Sequence, residues 1–340
     1  MEIELHGWKY SINSDAEDFD FKIEANSELP NTDSLYKYYS ISKYSVDSFK
    51  RDLFYIAEPP DFNDEFDGAR SRLDFNRISI DTCLKIINNP HSEDELRSQW
   101  LVNPEDVVER ARYNYYKELI TRIGVLCLTP NSLNELMWGY YSNNEGFCLE
   151  VETSKLPSNF KGPYPVNYVE LKLIPFVQLG SAFSTITLLT TKKKIWKHEE
   201  EFRYIVAPSN NIGFKTKKPY HKNDNEKFAD RLESCGDALK SITFGYRFMN
   251  AELKKDLVKL GDDGNFVVVF DTNVDGTKSL KCEIFETIIE KRIQCFNIIQ
   301  QIEYEEDDPF KLKKEQWVIE KLDENKFKVI VTKENLLIHS

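Results

Sequence analysis

The sequence lacks the short signatures of several large protein classes. No G-x-G occurs, so a Rossmann fingerprint and a kinase glycine loop are both missing, and no GxxxxGK precedes a Ser or Thr as in a P-loop. The six cysteines never have CxxC spacing, which argues against a zinc knuckle or a thiol redox motif. Five histidines are few for a histidine-rich metal site, and we expect no metal cofactor.

Long apolar runs and an excess of positive charge are also missing. No stretch approaches the ~18 apolar residues of a membrane helix, and the first residues show neither the basic nor the apolar region of an export signal. We therefore expect no membrane span and a cytoplasmic protein with reduced cysteines. The 45 basic and 57 acidic residues give a net charge of −12, which disfavours a surface that coats nucleic acid broadly.

The sequence does contain enough apolar residues for a substantial core, since 41% of its 340 residues are hydrophobic. Helical spacing of apolar residues runs from about 77 to 122, and strand-like runs lie on both sides of it. Because strands and helices do not alternate regularly, we predict an α+β fold: a mixed sheet core, a helical insertion at about 77–122, and an appended C-terminal helix and hairpin. We expect an acidic N-terminal arm (1–32), a core ligand-binding or catalytic domain (33–275) and a C-terminal extension (276–340).

Two aromatic pairs are candidate ligand contacts. In LYKYY, read as a strand, Tyr36 and Tyr38 share one face about 7 Å apart and can stack on a flat ligand. Alternatively, they belong to a core strand. Trp138 and Tyr141, three residues apart on a predicted helix, either flank a ligand or pack against a neighbouring helix.

That helix has a recognisable start in the sequence. Ser132 and Glu135 have the S-x-x-E spacing of a capping box. Helical spacing then predicts a core-facing stripe on one side of the helix: Leu133, Leu136, Met137 and Tyr140.

The loop PPDFNDEFDG concentrates polar side chains after two prolines. Asn63 and Asp64 are residue types that commonly cap their own backbone in turns. The alternative is that they donate to and accept from a ligand or a catalytic segment.

The segment WKHEEEFR carries the pattern with the clearest chemical meaning. Read as a strand, it places Glu199, Glu201 and Arg203 on one face, with the two carboxylates about 7 Å apart. One carboxylate can stabilise a developing cation while the other orients or deprotonates a nucleophile, and the arginine can hold a phosphate. Read as a helix, the segment is a solvated face with a weak ion pair.

Together these segments resemble a widespread bacterial family that is classed only as a domain of unknown function. The resemblance covers about residues 35–250, and its motifs are, in order, LYKYYS, FNDEFDG, LCLTPNSLNELMWGYYSNNEGFCLEV, WKHEEEFRYIV and FGYRF. The family pattern has a histidine where Tyr140 stands and a further histidine where this chain has the shorter NNEG. Members turn up near phage-defence and mobile genes, which suits an intracellular toxin or effector.

The layout of that family is similar to the layout of ADP-ribosyltransferases. This resemblance implies NAD as the substrate, Glu201 as the catalytic acid and Glu199 as its E-x-E partner, with a macromolecule as the acceptor or NAD simply cleaved. It also implies which residues hold the nucleotide: Tyr36 or Tyr38 at the nicotinamide ribose, and Trp138 or Tyr141 at the nicotinamide ring.

Two other functions remain open at the level of sequence. In the first, the pocket binds a small nucleotide ligand without turnover, and the C-terminal extension with its acidic run EYEEDD contacts a protein partner. The second is a metal-dependent nuclease that uses KKKIWK and KTKKPYHK to touch phosphate. Its oxygen ligands would be Asp64, Asp67, Glu199 and Glu201.

Overall fold

The fold is known from a computed structural model. It describes residues 2–5, 8–13, 20–24, 29–88, 93–208, 231–249, 258–260, 264–270, 279–302 and 310–332. Two segments singled out in the sequence, KTKKPYHK at 215–222 and EYEEDD at 303–308, lie outside these ranges. Within the described ranges, no helix is both long enough and apolar enough to cross a membrane.

The α-helices of the described residues are α1 (Lys43–Lys50), α2 (Ile80–Ile87), α3 (Glu93–Val102), α4 (Pro104–Arg122), α5 (Glu135–Ser142), α6 (Phe176–Thr190) and α7 (Leu280–Lys291).

The strands in the same ranges are β1 (Glu2–Leu5), β2 (Trp8–Asn13), β3 (Asp20–Glu24), β4 (Ser34–Tyr39), β5 (Leu53–Tyr55), β6 (Leu73–Asp74), β7 (Gly124–Leu128), β8 (Phe147–Glu152), β9 (Phe160–Pro165), β10 (Asn167–Val169), β11 (Ile174–Pro175), β12 (Thr191–Lys193), β13 (Phe202–Val206), β14 (Leu232–Ser234), β15 (Leu239–Phe244), β16 (Val258–Leu260), β17 (Asn265–Val269), β18 (Gln294–Ile302), β19 (Phe310–Asp323) and β20 (Lys326–Thr332).

These elements confirm the predicted α+β class. The helical segment expected at about 77–122 contains α2, α3 and α4. Local signals place their ends: the Ser79 hydroxyl accepts from the Thr82 N–H at the start of α2, and α2 ends at Asn88 in a left-handed conformation. Pro104 occupies the first turn of α4, where its missing N–H costs nothing.

The chain divides into two compact units, each assembled from separate segments. Unit 1 comprises Met1–Pro30, Tyr55–Cys127 and Ser158–Glu233. Its sheets are small: β1-β2-β3, β7-β13-β9, and the parallel pairs β10-β12 and β6-β11. One core of unit 1 joins residues from α2, α3 and α4 to Phe176 and Leu188 of α6.

The N-terminal residues belong to unit 1 and are not a separate arm. Strands β1, β2 and β3 form an antiparallel sheet. Tyr10 of β2 is fully buried in a cluster with Tyr164 and Phe183. The acidic residues suggested a loose segment, but the alternating apolar residues of β2 provide a face that packs.

Unit 2 comprises Asn31–Phe54, Leu128–Pro157 and Ser234–Ser340 and is built on one large sheet. The described strands run in the order β16-β17-β20-β19-β18-β15-β8-β4. The sheet is mixed, because β15 and β18 pair in parallel while its other described pairings are antiparallel.

Each face of this sheet carries its own apolar cluster. Phe147 and Leu149 of β8 pack in a cluster that contains Phe285 of α7. Cys148, which lies between them in the strand, packs in another cluster with Trp138 of α5. Since successive side chains of a strand alternate, α7 and α5 cover opposite faces of the sheet.

The predicted C-terminal helix and hairpin are present, but the compact units do not follow the expected boundaries at 32 and 276. Helix α7 and strands β18, β19 and β20 belong to unit 2 together with β4 and β8. The reason is the parallel pairing of β18 with β15, which places the C-terminal hairpin within the large sheet.

Candidate functional site

Five charged side chains converge in unit 1. They are Asp67, Lys192, Glu199, Glu201 and Arg203, here called the charged cluster. Strand β12 carries the lysine and β13 the arginine. Glu199 ends a 3₁₀ helix, while Asp67 and Glu201 lie in connections between elements. The cluster therefore unites three separate stretches of the chain around two strands.

Lys192 lies at the centre of the three carboxylates. Its Nζ is 2.6 Å from Glu199 Oε2, 3.5 Å from Asp67 Oδ2 and 3.5 Å from Glu201 Oε2. Two further lysines follow Lys192 in the sequence, but its side chain is only 3% exposed. Burial among acids makes it the cation that holds the three carboxylates together.

Arg203 grips two of the same carboxylates with its guanidinium. It donates to Asp67 through Nη1 and Nη2 at 2.9 and 2.6 Å, and to Glu201 through Nε and Nη2 at 3.0 and 2.9 Å. Its Nη1 also donates to the Leu189 carbonyl at 2.7 Å. Such bidentate bonds fix both the position and the plane of each carboxylate.

The charged cluster is almost completely buried. The exposed side-chain fractions run from 0% for Asp67 to 7% for Glu201. The buried Arg72 guanidinium also interacts with Asp67 and Arg203, so three cations balance the three carboxylates. In this region of low dielectric, a carboxylate interacts with a nearby charge more strongly than it would in water.

The ionisation states follow from the same contacts. Burial raises the pKa of Glu201, but Arg203 and Lys192 outweigh burial and lower it to about 2. Burial lowers the pKa of Lys192, yet the carboxylates around it, Glu201 foremost, raise it above its ordinary value. Burial and the Glu201 carboxylate raise the pKa of Tyr168, whose hydroxyl accepts from the Glu201 N–H at 2.8 Å. At neutral pH Glu201 is thus an anion and has no proton to donate.

Asn63 and Asp64 lie beside this cluster. Asn63 is exposed, and its side chain approaches both Glu199 Oε1 and the Lys192 ammonium at 3.5 Å. Asp64 accepts from the Phe66 N–H at 3.1 Å, which is the predicted turn chemistry, and also from Trp196 Nε1 at 3.1 Å. Of the two, Asn63 is the residue through which the cluster meets solvent.

Aromatic rings border the charged cluster. The Phe62 ring centroid lies 4.8 Å from the Arg203 guanidinium carbon, and the Trp196 centroid lies 5.2 Å from Lys192 Nζ. Phe66 holds the Lys193 ammonium 3.8 Å from its ring centroid. These cation–π contacts shield the cations from water and strengthen their hold on the carboxylates.

The strand predicted over Glu199–Arg203 is only partly present. Glu199 ends a 3₁₀ helix, Lys194–Glu199, and Glu200 has a left-handed backbone with φ of 48°. Strand β13 begins at Phe202. Glu199 and Glu201 reach the same cluster because the backbone reverses at Glu200, and not because they share a strand face.

The four aromatic residues of the other motifs come together in unit 2. Tyr36, Tyr38, Trp138 and Tyr141, here called the aromatic cluster, pack with Cys148 and Ile298. Tyr38 and Trp138 meet edge to face, with ring centroids 5.0 Å apart. Tyr38 donates to the Asn131 carbonyl and Trp138 Nε1 to the Ser132 carbonyl, at 2.7 and 3.0 Å. Tyr38 therefore lies in a core strand, and Trp138, in the part of the chain that the structure describes, packs against the strands of the large sheet and not against a neighbouring helix.

Helix α5 is positioned differently from its sequence prediction. The expected capping box of Ser132 and Glu135 is wrong: Asn134 is the N-cap, and its side chain accepts from the N–H groups of Leu136 and Met137. The predicted core face is only partly right: Leu133 and Met137 pack against the aromatic cluster, but Leu136 is 49% exposed and Tyr140 69%. Trp138 is buried instead, since the ring contributes the largest apolar area and its N–H finds a carbonyl.

The carboxylates of the nuclease hypothesis do not face an open position. Within the described ranges, no group of three or more His, Cys, Asp or Glu side chains is arranged to hold a metal ion. Asp67, Glu199 and Glu201 surround the Lys192 ammonium, and Asp64 bonds to Trp196. These residues do not fit a metal centre.

Unit 1 also contains a cleft of about 560 Å³ that sequence reasoning did not anticipate. None of the predicted site residues lines it. Its walls come from the β6–α2 connection, the end of α3 and the start of α4: Phe75, Asn76, Arg77, Ile78, Trp100, Pro104, Glu105, Asp106, Val108, Glu109 and Arg112.

Sequence reasoning missed Tyr168 as a member of the site and named Lys192 only within the run KKKIWK that would touch phosphate. Lys192 is one of three consecutive lysines, and nothing local distinguishes the buried one from its exposed neighbour Lys194. Asp67 was named only as a metal ligand. Comparison of the chain with protein-family models, with curated proteins and with solved structures finds no match in any of the three.

Proposed function

We propose that the protein is an NAD-consuming, ADP-ribosyltransferase-like enzyme that works in the cytoplasm as an effector or toxin in phage defence. The observation that carries the proposal is the convergence of Glu199 and Glu201, the E-x-E pair, in a buried cluster of charged side chains. The expected substrate is NAD, and the expected acceptor is a macromolecule or water.

Cleavage of NAD requires a negatively charged group near the ribose more than it requires a proton donor. When the bond between the ribose C1′ and the nicotinamide nitrogen breaks, its electron pair moves to the pyridinium ring, which leaves as neutral nicotinamide. The ribose becomes an oxocarbenium-like cation. An ionised Glu201 suits this step because it stabilises the cation through fixed negative charge. The acceptor then bonds to C1′ and loses a proton.

Within the cluster, the two glutamates are suited to different roles. Glu201 is held by two bonds from Arg203 and acts as fixed charge. Glu199 lies next to the exposed Asn63 and is the carboxylate nearer to an incoming acceptor. We assign Glu199 to orient the nucleophile and accept its proton, which is the division of roles that the sequence pattern suggests for its two carboxylates.

The test is to incubate the purified protein with NAD and to follow nicotinamide release together with intact protein mass. Glu199→Gln should reduce turnover by about 10²-fold or more. Glu200→Gln is the matched control, because this exposed neighbour carries the same charge outside the cluster, and it should retain activity. Thermal unfolding of both variants is measured to check that each remains folded at the assay temperature.

Equal rates in the two variants, or release that persists without Glu199, would overturn the assignment. A protein that releases no nicotinamide and gains no mass with any acceptor would overturn the enzyme proposal itself.

A second candidate function is a binding module for a nucleotide ligand, with a protein partner at the C-terminal region. This function is favoured because the carboxylates of Asp67 and Glu201 already accept four hydrogen bonds from Arg203. This function predicts that NAD raises the melting temperature without any product. Product formation that depends on Glu199 would exclude it.

A further inference from the structure

Lys314 of β19 places its ammonium among aromatic rings in unit 2. Its Nζ lies 5.0 Å from the ring centroid of Tyr36 and 5.6 Å from that of Phe296. Across the part of the chain that the structure describes, Lys314 has no ion pair and no hydrogen bond from its side chain. Two rings stabilise a cation, but they do not neutralise it.

The charged and titratable groups near Lys314 do not neutralise it either. Glu150 is engaged by the Lys240 ammonium at 2.8 Å and by the hydroxyls of Ser241 and Ser34 at 2.6 and 2.8 Å. Cys148 is a buried thiol whose pKa burial raises to about 12, so it carries no charge at neutral pH. The Glu150 carboxylate is therefore already engaged by another cation.

The surroundings of Lys314 lower the pKa of its amine. Burial lowers the pKa of Lys314, Lys240 lowers it further, and Cys148 and Glu150 oppose the change without cancelling it. A partly buried cation without a counter-ion destabilises the folded protein. An anion that binds beside Lys314 would remove that cost, which makes the position suited to ligand binding.

We propose that Lys314 anchors an oxyanion, phosphate or carboxylate, of a ligand that lies against Tyr36 on the α5 face of the large sheet. The site is formed within unit 2 by β19, β18 and β4. It does not depend on NAD turnover at the charged cluster, so the two proposals can fail separately. A ligand that also carries an aromatic ring gains contact with the aromatic cluster.

The proposal is tested by thermal unfolding in inorganic phosphate, benzoate and phenyl phosphate, at an ionic strength held constant with chloride. Each effective anion should raise the melting temperature of the wild-type protein, and phenyl phosphate or benzoate should act at lower concentration than phosphate. The comparison of benzoate with phenyl phosphate separates a carboxylate ligand from a phosphate ligand.

Lys314→Met removes the cation and should abolish the anion effect. In the absence of anions this variant should also melt higher than the wild type, because a methionine fills the space without an uncompensated charge. Lys313→Met is the matched control: the neighbouring exposed lysine points to the other face of β19, and its loss should leave the anion effect intact.

A lower melting temperature of Lys314→Met in anion-free buffer would show that Lys314 has a structural role and would overturn the proposal. Equal anion effects on both variants would also overturn it. Should Lys314→Met fail to fold, the wild-type protein is labelled with trinitrobenzenesulfonate and digested. Phenyl phosphate should protect the peptide that contains Lys314, and undiminished labelling of that peptide would contradict the site.

Discussion

At the scale of single residues, the most consequential feature is an arginine that holds two acids in a buried place. A buried ion pair adds little net stability, because the desolvation of the charges offsets their attraction. The removal of one partner is costly, because the other charge stays buried without compensation. The geometry around Arg203 is therefore sensitive to any change in Glu201 or Asp67.

Glu201→Gln is expected to destabilise the protein by about 3–5 kcal/mol, since one of the two carboxylates bound to the Arg203 guanidinium is lost. Denaturant unfolding at neutral pH measures the change, and the exposed Glu200→Gln serves as the control. A cost below about 1 kcal/mol would contradict the tight pairing seen in the structure.

The acid sensitivity of the protein follows from the same carboxylate. The pKa of Glu201 is lowered from 4.5 to about 2 in the folded state. Its contribution to stability is thus fully present above pH 4.5 and is lost as the pH falls from there towards 2. Unfolding free energies measured across this window should fall more steeply for the wild type than for Glu201→Gln. Parallel curves would show that another group controls the acid transition.

The residues of the site were predictable to the extent that their pattern is local. Glu199, Glu201 and Arg203 stand close together in sequence, and Asn63 and Asp64 stand in a polar turn, so pattern reasoning found them. Lys192 was not predictable, because its burial depends on how β12 packs. The ionised state of Glu201 was not predictable either, because it follows from contacts with Arg203 and Lys192 that form only in the fold.

At the scale of elements, periodic segments were predicted well and capped or reversed segments were not. The helices between residues 77 and 122 follow from regular apolar spacing and match α2, α3 and α4. The prediction for helix α5 was wrong in detail, because Ser132 and Asn134 can both cap the start of a helix and the sequence does not rank them. The 3₁₀ helix before Glu200 was not predicted, because a non-glycine residue with a left-handed backbone leaves no signal in the sequence.

Asn134→Ala should destabilise unit 2 by about 1 kcal/mol, because the Asn134 side chain accepts from two N–H groups that otherwise lose their partner. Glu135→Ala removes the acid of the expected capping box and should cost less, since its side chain is exposed. Chemical denaturation of both variants gives the comparison. A larger loss for Glu135→Ala would restore the capping box predicted from sequence.

At the scale of the whole molecule, the two units are interleaved along the chain. Composition and periodicity predicted the α+β class, but the three-part construction of each unit was not predictable. Which strands pair over long distances is decided by tertiary packing, and the parallel match of Ser241 with Gln294 has no local signature. The expected appendage at 276–340 is for that reason part of unit 2.

Removal of residues 279–340 is expected to abolish the cooperative unfolding of unit 2. The deletion takes away α7 and three strands, and it uncovers Phe147, Leu149 and Phe244 on the core face of the remaining sheet. Near-ultraviolet circular dichroism and binding of a hydrophobic dye measure the loss of packing. An unchanged unfolding transition would show that the segment is an appendage after all.

The order of strands in the large sheet also sets when it can form during protein synthesis. Ser34 on β4 donates to Glu150 on β8, 116 positions further along the chain. Strand β15 then receives its parallel partner only when β18 has been made, and β19 and β20 follow. On the ribosome, β15 therefore waits with an unpaired edge until β18 has emerged, and unit 2 closes only after β20 has emerged. Exposure of this edge makes the nascent chain a substrate for chaperones that bind extended apolar segments.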